Sequence, residues 1–405
     1  MPIEASGNPY TPDMGARPPF LAGRDLELAY FDEIVQQLGA GGTQRHLILT
    51  GLRGVGKTVL LNEFEATCDR ENWPGEAFEI AAGADIGPVV ARLARKALLQ
   101  MSATRRAGDA ARRALSVLKA FSVTVGDATF SLDVAALEGV ADSGDLASDM
   151  RDVMVEVGFA ARAHELGFAL ILDEMQNLAK ADLEALIVGL HRAKQKNLPI
   201  ALVGAGLPLL PALTGNAKSY AERGFEFREI GALGHVAAAA ALEEPARRQG
   251  VAWQGDAVER VIELADGYPF FLQEYGRVAW KVRCDTEITA ADIAAAEPIA
   301  RDFLDENFFS QRIGKLPIGE QRYMAAVAKL GDGPQGTAEV AEVLRRRPEE
   351  ISGWRDRLIR AGLLYAPSRG KVAFTVPMCA DYIRRAMPET RSSDELLDEM
   401  REDRV

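Results

Sequence analysis

Residues 48–61 have the sequence ILTGLRGVGKTVLL, in which a short apolar run ends in a glycine-rich segment and a helical pattern follows. The segment GLRGVGKT, residues 51–58, matches the spacing G-x-x-x-x-G-K-[ST] in full. It also has the strand before it and the helix after it that this motif requires. The stretch therefore predicts a phosphate-binding loop formed by Gly51, Leu52, Arg53, Gly54, Val55, Gly56, Lys57 and Thr58.

The residue types of this loop suit the phosphates of a nucleotide. Its three glycines let the backbone wrap closely around the phosphates and turn its N–H groups inward. Lys57 places a positive charge at the β- and γ-phosphates, and the helix that follows points its positive end toward them. Thr58 offers a hydroxyl group to Mg²⁺. We therefore expect the loop to bind ATP and Mg²⁺.

A second stretch, FALILDE at residues 168–174, supplies acidic residues that suit the same site. Its apolar residues predict a buried strand, with Asp173 and Glu174 at the carboxyl end. From there Asp173 can hold the water shell of Mg²⁺, and Glu174 can polarise an attacking water as general base. Acidic residues often end strands, so the pair is informative mainly because the phosphate-binding loop is also present.

The N-terminal half alternates between strand and helix patterns. Further short strands are predicted at residues 77–82, 199–204 and 225–230, with helical patterns between them. This alternation predicts an α/β fold with a mostly parallel sheet that helices cover on both faces.

Changes in pattern divide the chain into five parts. Residues 1–19 are rich in proline and glycine and predict an extended lead-in to an α/β core at residues 20–230. Residues 231–315 predict a helical domain without strands. Residues 316–388 predict three helices followed by two short strands, and residues 389–405 form an acidic tail.

Residues 121–134, FSVTVGDATFSLDV, interrupt the α/β pattern. Apolar and polar residues alternate there around Gly126 and Asp127, which predicts a β-hairpin inserted into the core. Two roles remain open for this hairpin. It can pack against the core, or it can contact DNA or a partner, because a basic helical stretch precedes it.

Composition limits the class of protein. With 405 residues, 48% of them hydrophobic and 26% charged, the chain is typical of a globular protein of two or three domains. Its net charge of −12 means that contact with nucleic acid requires a local basic patch. Three widely spaced cysteines predict free thiols in a reducing compartment. Because no signal pattern or long apolar run is present, we expect a cytoplasmic protein that does not enter a membrane.

These motifs, in this order, resemble the AAA+ and STAND families of P-loop ATPases, especially their replication-initiator-like, archaeal-type members. The segment FLAGRDLEL, residues 20–28, is similar to the GR-x-x-E-L segment that these proteins place before the ATPase core. The resemblance covers residues 20–276 and implies that Gly23 and Arg24 help to form an adenine pocket. The alternative is an ordinary capped helix start with Arg24 exposed.

The resemblance also implies an arginine finger, which stabilises the γ-phosphate charge of a neighbouring subunit in a nucleotide-dependent homo-oligomer. Residues 220–233, YAERGFEFREIGAL, are similar to the segment that carries this finger. Arg223 is the best match and Arg228 is the reserve. The alternative is that Arg223 is an ordinary surface cation.

Two departures from the family pattern bear on the rate of hydrolysis. The stretch LVGAGLP offers only glycine and alanine where relatives carry a polar sensor residue, and Phe270 stands where an arginine is usual in the helical lid. The adjacent G-Y-P instead resembles the G-x-P element of STAND ATPases, which implies that Pro269 packs near the base or the sugar. We therefore expect nucleotide binding to be retained and hydrolysis to be slow.

Residues 316–388 resemble a winged helix-turn-helix, a common companion of initiator-like ATPases. They carry 12 basic and 8 acidic residues, a net charge of +4, and no other part of the chain is net basic. The candidate recognition helix presents Glu349 and Asp356, which would repel phosphates, so we expect the wing to lead. Duplex DNA and a docking protein both remain open as the partner. The candidate DNA contacts are Arg369, Lys371, Arg345, Arg346 and Arg347.

Two hypotheses from different classes follow. The first is an ATP-dependent switch, with a nucleotide-binding core, a helical lid, slow hydrolysis and a winged helix that engages DNA. The second is a regulatory scaffold that binds nucleotide with little turnover and docks proteins through the winged helix. A small-molecule kinase is disfavoured, because a lid and a winged helix leave no obvious site for a second substrate.

Overall fold

The computed structural model describes residues 7–13, 15–102, 108–126, 134–217 and 221–387. A five-stranded sheet, with strand order β2-β3-β4-β1-β5, forms its centre, and all of its strands are parallel. This confirms the parallel α/β class that the sequence predicts. The strands are β1 (His46–Thr50), β2 (Gly75–Glu79), β3 (Phe168–Asp173), β4 (Ile200–Gly206) and β5 (Phe225–Glu229).

Continuous apolar runs form the central strands because both faces of the sheet are buried. Side chains alternate between the faces, so Leu47 and Leu49 of β1 lie in one apolar cluster and Ile48 lies in the other. Because the strands are parallel, the loops after β1 and β3 lie at the same edge of the sheet. That edge brings the phosphate-binding loop next to Asp173.

Eight helices accompany the sheet in the described part of the N-terminal half. The first two, with Phe31 and Leu60, bury their apolar sides against the face that carries Leu47. The third to sixth cover the other face. These helices are α1 (Asp25–Gly39), α2 (Lys57–Arg70), α3 (Ile86–Ser102), α4 (Gly108–Thr124), α5 (Leu146–Ala163), α6 (Lys180–Gln195), α7 (Leu210–Ala217) and α8 (Ala221–Gly224).

The hairpin predicted at residues 121–134 is wrong in its first half. Residues 121–124 are the last turn of α4. Phe121 is fully buried, as are Val117 and Leu118 four and three residues before it, which is helical spacing. The apolar pattern of the preceding helix therefore continues through the stretch that resembles a strand. Residues 127–133 of the predicted hairpin lie outside the described residues.

Helices dominate the segment after β5, which we call the helical segment (235–313). One expectation fails here, because two short strands pair in parallel where the sequence predicts none. They are two residues long, too short for a periodic pattern to reveal. The elements are α9 (His235–Arg247), β6 (Ala252–Trp253), α10 (Gly255–Ala265), α11 (Pro269–Val282), β7 (Glu287–Ile288), α12 (Ala290–Leu304), a π-helical turn (Asp305–Ser310) and α13 (Gln311–Ile313).

The remaining residues form what we call the C-terminal unit (318–386), which combines helices with a small antiparallel sheet of order β8-β10-β9. Its apolar side chains, among them Tyr323 and Leu358, belong to the same buried cluster as one face of the central sheet. The elements are α14 (Ile318–Leu330), β8 (Gln335–Gly336), α15 (Thr337–Val343), α16 (Pro348–Arg360), β9 (Leu364–Tyr365), β10 (Lys371–Phe374) and α17 (Cys379–Ala386).

The described residues before α1 form neither helix nor strand, but they are packed. Tyr10 is 3% exposed; its hydroxyl donates to the Leu242 carbonyl at 2.5 Å and accepts from Trp253 Nε1 at 2.9 Å. Farther along, Arg17 forms an ion pair with Glu63 of α2. The segment therefore runs from the helical segment to the core. Among the helices of the described residues, none is long and apolar enough to cross a membrane.

Candidate active site

The phosphate-binding loop connects β1 to α2, and its glycines are required where the structure places them. A Cβ at Gly51 would lie 2.2 Å from the carbonyl oxygen of Ile230. Gly54 and Gly56 have φ angles of +81° and +94°, which other residues rarely adopt. The loop therefore has the backbone shape that the motif predicts, with the start of α2 behind it.

Lys57 is the first residue of α2, and it is 7% exposed. Its Nζ donates hydrogen bonds to the carbonyl oxygens of Gly51, at 2.9 Å, and Leu52, at 2.7 Å. Burial lowers the pKa of Lys57 to about 8, although the nearby carboxylates Asp173 and Glu174 partly oppose this shift. The ammonium group is thus desolvated and held by neutral acceptors, which a phosphate can replace.

Thr58 and Asp173 lie together as the sequence predicts. The Thr58 hydroxyl donates to Asp173 Oδ2 at 2.6 Å, and the backbone N–H of Glu174 donates to Oδ1 of the same carboxylate at 2.8 Å. A hydroxyl oxygen next to a carboxylate oxygen fits Mg²⁺, which takes one or two protein oxygens and keeps several waters. The described residues hold no cluster of three or more His, Cys, Asp or Glu side chains, so a metal held wholly by such ligands has no site among them.

Glu174 has a left-handed backbone, with φ +53°. Its Oε2 accepts a hydrogen bond from Gln176 Nε2, and its Oε1 lies 3.9 Å from Arg53 Nη1. The sequence interpretation missed Gln176. A Cβ at Gly206 would lie 2.3 Å from Gln176 Oε1, so the glycine of LVGAGLP makes room for this amide. A polar side chain from the turn after β3 therefore lies against this stretch.

A cavity of about 350 Å³ extends from the phosphate-binding loop. Pro269 and Phe270 of α11 line it, together with residues 11–13, 15–16 and 20–22 before α1. It therefore lies between the core, the helical segment and the N-terminal segment. Pro269, predicted to pack near the base or the sugar, lines this cavity, whereas the approach of the N-terminal segment was not predicted.

Arg24 lines this cavity but does not have the exposed position of the alternative interpretation. It is 8% exposed, and its Nη2 donates to the carbonyl oxygens of Val55, at 3.1 Å, and Gly231, at 2.6 Å. Arg24 thus ties the phosphate-binding loop to the connection between the core and the helical segment. Gly23 lies beside the helical segment instead, since a Cβ there would approach the Cβ of Ala237 to 2.7 Å.

The two arginine-finger candidates lie away from this cavity. Arg223 is exposed and precedes β5, so it lies at the opposite edge of the sheet from the phosphate-binding loop. It cannot reach the loop of its own subunit. Arg228 lies within β5, where its Nη1 donates to the Leu26 carbonyl at 3.0 Å and its guanidinium lies 4.2 Å from the centre of the Tyr30 ring.

Arg312 of α13 lines the cavity and was not predicted to do so. Its guanidinium stacks 4.4 Å from the centre of the Phe308 ring. Burial lowers the pKa of Arg312, and the positive charge of Arg53 acts in the same direction. No local pattern could identify this residue, because more than 250 residues separate it from the loop that it approaches.

The five candidate DNA contacts lie on the surface of the C-terminal unit. Arg369 and Lys371 are exposed at the turn between β9 and β10. The other three follow α15, which ends at Val343, and Arg345 has a φ of +51°. The other two are engaged: Arg346 lies 5.8 Å from the ring centre of Trp354, and Arg347 forms an ion pair with Glu350 at 3.0 Å.

Comparisons with known families match two parts of the chain. Residues 21–203 match the family described as AAA ATPase domain. Residues 306–383 match a family described as a domain of unknown function (DUF8462). No curated protein matches the chain.

Solved structures resemble the chain over most of its length at low identity. A Walker-type ATPase of Pyrococcus abyssi is 16% identical, with a TM-score of 0.50, over 91% of this chain and 97% of that one. The Orc1 protein of Aeropyrum pernix, in complex with DNA, is 17% identical with a TM-score of 0.41, over 90% and 93%. The RuvB Holliday junction branch migration motor of Thermotoga maritima is 16% identical with a TM-score of 0.42, over 87% and 92%.

The family match, the likeness to the Pyrococcus fold and the geometry of the phosphate-binding loop agree with one another. The matched residues contain the loop, Asp173 and Glu174, and they end within β4. Residues 21–203 are therefore similar to an AAA ATPase domain, and the protein is an ATPase that binds nucleotide.

Proposed function

We propose that the protein is a switch, in which slow hydrolysis of ATP–Mg²⁺ controls whether the C-terminal unit engages duplex DNA. The observation that carries the nucleotide part is the contact between Thr58 and Asp173 beside Lys57. In this proposal Lys57 and the loop amides bind the phosphates, and Thr58 and Asp173 hold Mg²⁺. The bound Mg²⁺ supplies positive charge that stabilises the transferring phosphoryl group.

Glu174 polarises the attacking water in this proposal, and its surroundings support slow turnover. Gln176 and Arg53 both contact its carboxylate, which orients that group and stabilises its charge. A general base must reach a water molecule in line with the phosphate, so these contacts must loosen before hydrolysis. A site restrained in this way suits a switch better than a motor.

The helical segment acts as a lid in this proposal, and Arg223 acts on a neighbouring subunit. Pro269 at the start of α11 lines the cavity, so a bound nucleotide would touch both the core and the lid. Gly23 and Arg24 lie where the N-terminal segment meets the lid, and they would support the base. Since Arg223 lies at the far edge of the sheet, a finger role requires a homo-oligomer.

The C-terminal unit is a winged helix in this proposal. The order of its elements supports this: α14, β8, α15 and α16 precede an antiparallel pair, β9 and β10, which would be the wing. Arg369 and Lys371 lie at the tip of that pair. They are exposed and would meet the phosphate backbone of DNA.

One experiment tests the proposal as a whole: ATP turnover measured with and without duplex DNA, in the wild type and in Glu174→Gln. We expect slow turnover that changes when DNA is added, and loss of turnover with retained nucleotide binding in the variant. Turnover that Glu174→Gln leaves unchanged would contradict the assigned chemistry.

A second candidate function is a regulatory scaffold that docks a protein through the C-terminal unit. The charge pattern of this unit favours it, since several of its basic residues pair with acidic ones. Arg355 pairs with Asp356 at 3.0 Å, and Arg384 pairs with Asp381 at 2.6 Å. Charges that compensate one another attract DNA weakly. The absence of DNA binding at low salt in both nucleotide states would favour this scaffold.

A further inference from the structure

Arg53 of the phosphate-binding loop contacts two other parts of the molecule. On one side its Nη1 lies 3.9 Å from Glu174 Oε1. On the other side lies Gly362, in the turn between α16 and β9 of the C-terminal unit. A Cβ at Gly362 would lie 2.8 Å from Arg53 Nε and 3.3 Å from Nη2. Arg53 therefore connects the C-terminal unit with Glu174.

The turn at Gly362 is held firmly in place. Gly362 is buried and has a φ of +67°, and the hydroxyl of the buried residue Thr375 donates to its carbonyl oxygen at 2.7 Å. By contrast, Arg53 Nε is buried and has no hydrogen-bond acceptor. The guanidinium is thus positioned by packing against a rigid turn and by attraction to Glu174.

The positive charge of Arg312 also affects the position of the Arg53 guanidinium. In the part of the chain that the structure describes, no carboxylate lies within 4.0 Å of the Arg312 guanidinium. The positive charges of Arg312 and Arg53 repel one another. Because like charges repel, Arg312 disfavours movement of Arg53 toward it.

We propose that Arg53 is a positioning residue that restrains Glu174, and that the Gly362 turn of the C-terminal unit keeps Arg53 in that restraining position. This inference rests on the proposed function, because it takes Glu174 as the residue that polarises water. It gives residues 306–383, the domain of unknown function, a role as an inhibitory module of the ATPase site. Displacement of the C-terminal unit frees Arg53, and Glu174 can then turn toward the water.

The first test replaces Arg53 with methionine, which keeps an extended apolar stem and removes the charge. Steady-state turnover is measured with ATP and Mg²⁺ in the absence of DNA. We expect kcat to rise about two- to fivefold, the range that a partly exposed ion pair supports. KM should rise as well, because the loop loses a cation. Arg53→Lys should bring kcat back toward the wild-type value.

The second test uses two matched glycines of the C-terminal unit. Gly362→Ala adds a methyl group against Arg53, whereas Gly370→Ala places the same group at a φ of +77° with nothing within 4 Å. Both variants carry similar backbone strain. The added methyl group overlaps Arg53 Nε, so the turn and Arg53 cannot keep their present packing. We therefore expect Gly362→Ala to raise kcat and Gly370→Ala to leave it unchanged. In the Arg53→Met background, Gly362→Ala should add nothing, because its effect passes through Arg53.

Each other result counts against the inference. A kcat that falls or does not change in Arg53→Met would overturn it, since the charge would then assist hydrolysis or be irrelevant to it. An equal effect of Gly362→Ala with and without Arg53 would show that the glycine acts by another route. Lack of any turnover in the wild type would instead contradict the proposed function itself, and the inference would fail with it.

Discussion

The nucleotide site and the C-terminal unit both carry cations, but they hold them in different ways. Lys57 is buried, and two carbonyl oxygens within 3 Å fix its ammonium group. Arg369 and Lys371 are exposed, and Arg347 of the same unit is already paired with an acid. Backbone carbonyl oxygens fix the ammonium group of Lys57, which predicts specific binding of phosphate. Among the described residues, no such backbone contact holds the side chains of Arg369 and Lys371, and an acidic residue offsets the charge of Arg347. These exposed cations therefore predict weaker and less specific binding.

The largest effect is expected on turnover, when Arg223 is replaced. This change tests whether the nucleotide site is complete in one subunit. Arg223 lies at the far edge of the sheet, so it can act only on a neighbour. An arginine finger supplied in trans contributes on the order of 10³ to 10⁵ in rate. We expect Arg223→Ala to reduce turnover toward that extent and to leave nucleotide affinity nearly unchanged. The measurement is turnover per subunit across a range of protein concentrations.

The control for this prediction is Arg228→Ala, since Arg228 is engaged with Leu26 and Tyr30 within its own chain. Its loss should not remove the dependence of turnover on protein concentration. If activity is independent of concentration and survives in Arg223→Ala, the site does not need a second subunit.

The next prediction tests whether the buried lysine is the centre of recognition. At a ligand concentration a hundredfold above Kd, ATP–Mg²⁺ should stabilise the wild-type fold by about 2.7 kcal/mol. Lys57→Ala should lose most of this gain, because Lys57 is the buried cation of the loop and lines the cavity. Thermal unfolding with and without nucleotide measures the difference. Lys315→Ala, an exposed change outside the cavity, is the control. An equal shift in wild type and Lys57→Ala would rule out this assignment.

The same contrast explains which parts of the site could be predicted from the sequence. The loop, the strand before it and Asp173 lie within short stretches whose pattern carries the information: β1 and β3 are continuous apolar runs. Parallel strands then bring Thr58 and Asp173 together without any further assumption. Local patterning and sheet topology were sufficient for this half of the site.

The contacts around Arg53 and Glu174 could not be predicted in this way. Arg312 approaches Arg53 only after the helical segment has packed against the core, and Gly362 only after the C-terminal unit has done so. Gln176 reaches Glu174 because Gly206 leaves space for its amide. Each contact depends on the packing of distant segments, which periodicity does not encode. The same limit explains the error at residues 121–124, where burial extends a helix through an alternating pattern.

A third prediction concerns the two exposed cations of the C-terminal unit. If Arg369 and Lys371 each contact one phosphate, replacing both with alanine should reduce the slope of log affinity against log salt by about 2. Between 50 and 200 mM salt, the DNA affinity of the wild type should therefore fall about tenfold more than that of the variant. Fluorescence anisotropy with a labelled duplex, with and without ATP, measures the slope.

The matched control for the wing replaces Arg355, which is already paired with Asp356. Its loss should change the slope much less than loss of the wing pair. ATP should strengthen binding if assembly places several wings on one duplex, since linked weak sites gain avidity. A slope that the wing pair does not affect would remove these residues from the interface.

The smallest expected effect is the pH dependence of nucleotide affinity, which distinguishes the buried Lys57 from the exposed cations. Burial lowers the pKa of Lys57 to about 8, so its proton is lost as pH rises through that value. Phosphate binding requires the cationic form, and affinity should therefore be constant below pH 8 and fall above it. At pH 9, about one molecule in ten of the free protein retains the proton, which predicts a loss of about tenfold in affinity relative to pH 7. Titration of Mg²⁺–ATP across this range measures the loss.

Lys57→Arg provides the control, because a guanidinium stays charged throughout the range and should flatten the profile even if overall affinity drops. If the profile of the wild type were already flat, Lys57 would keep its proton despite burial, and desolvation would not be what distinguishes this site from the wing.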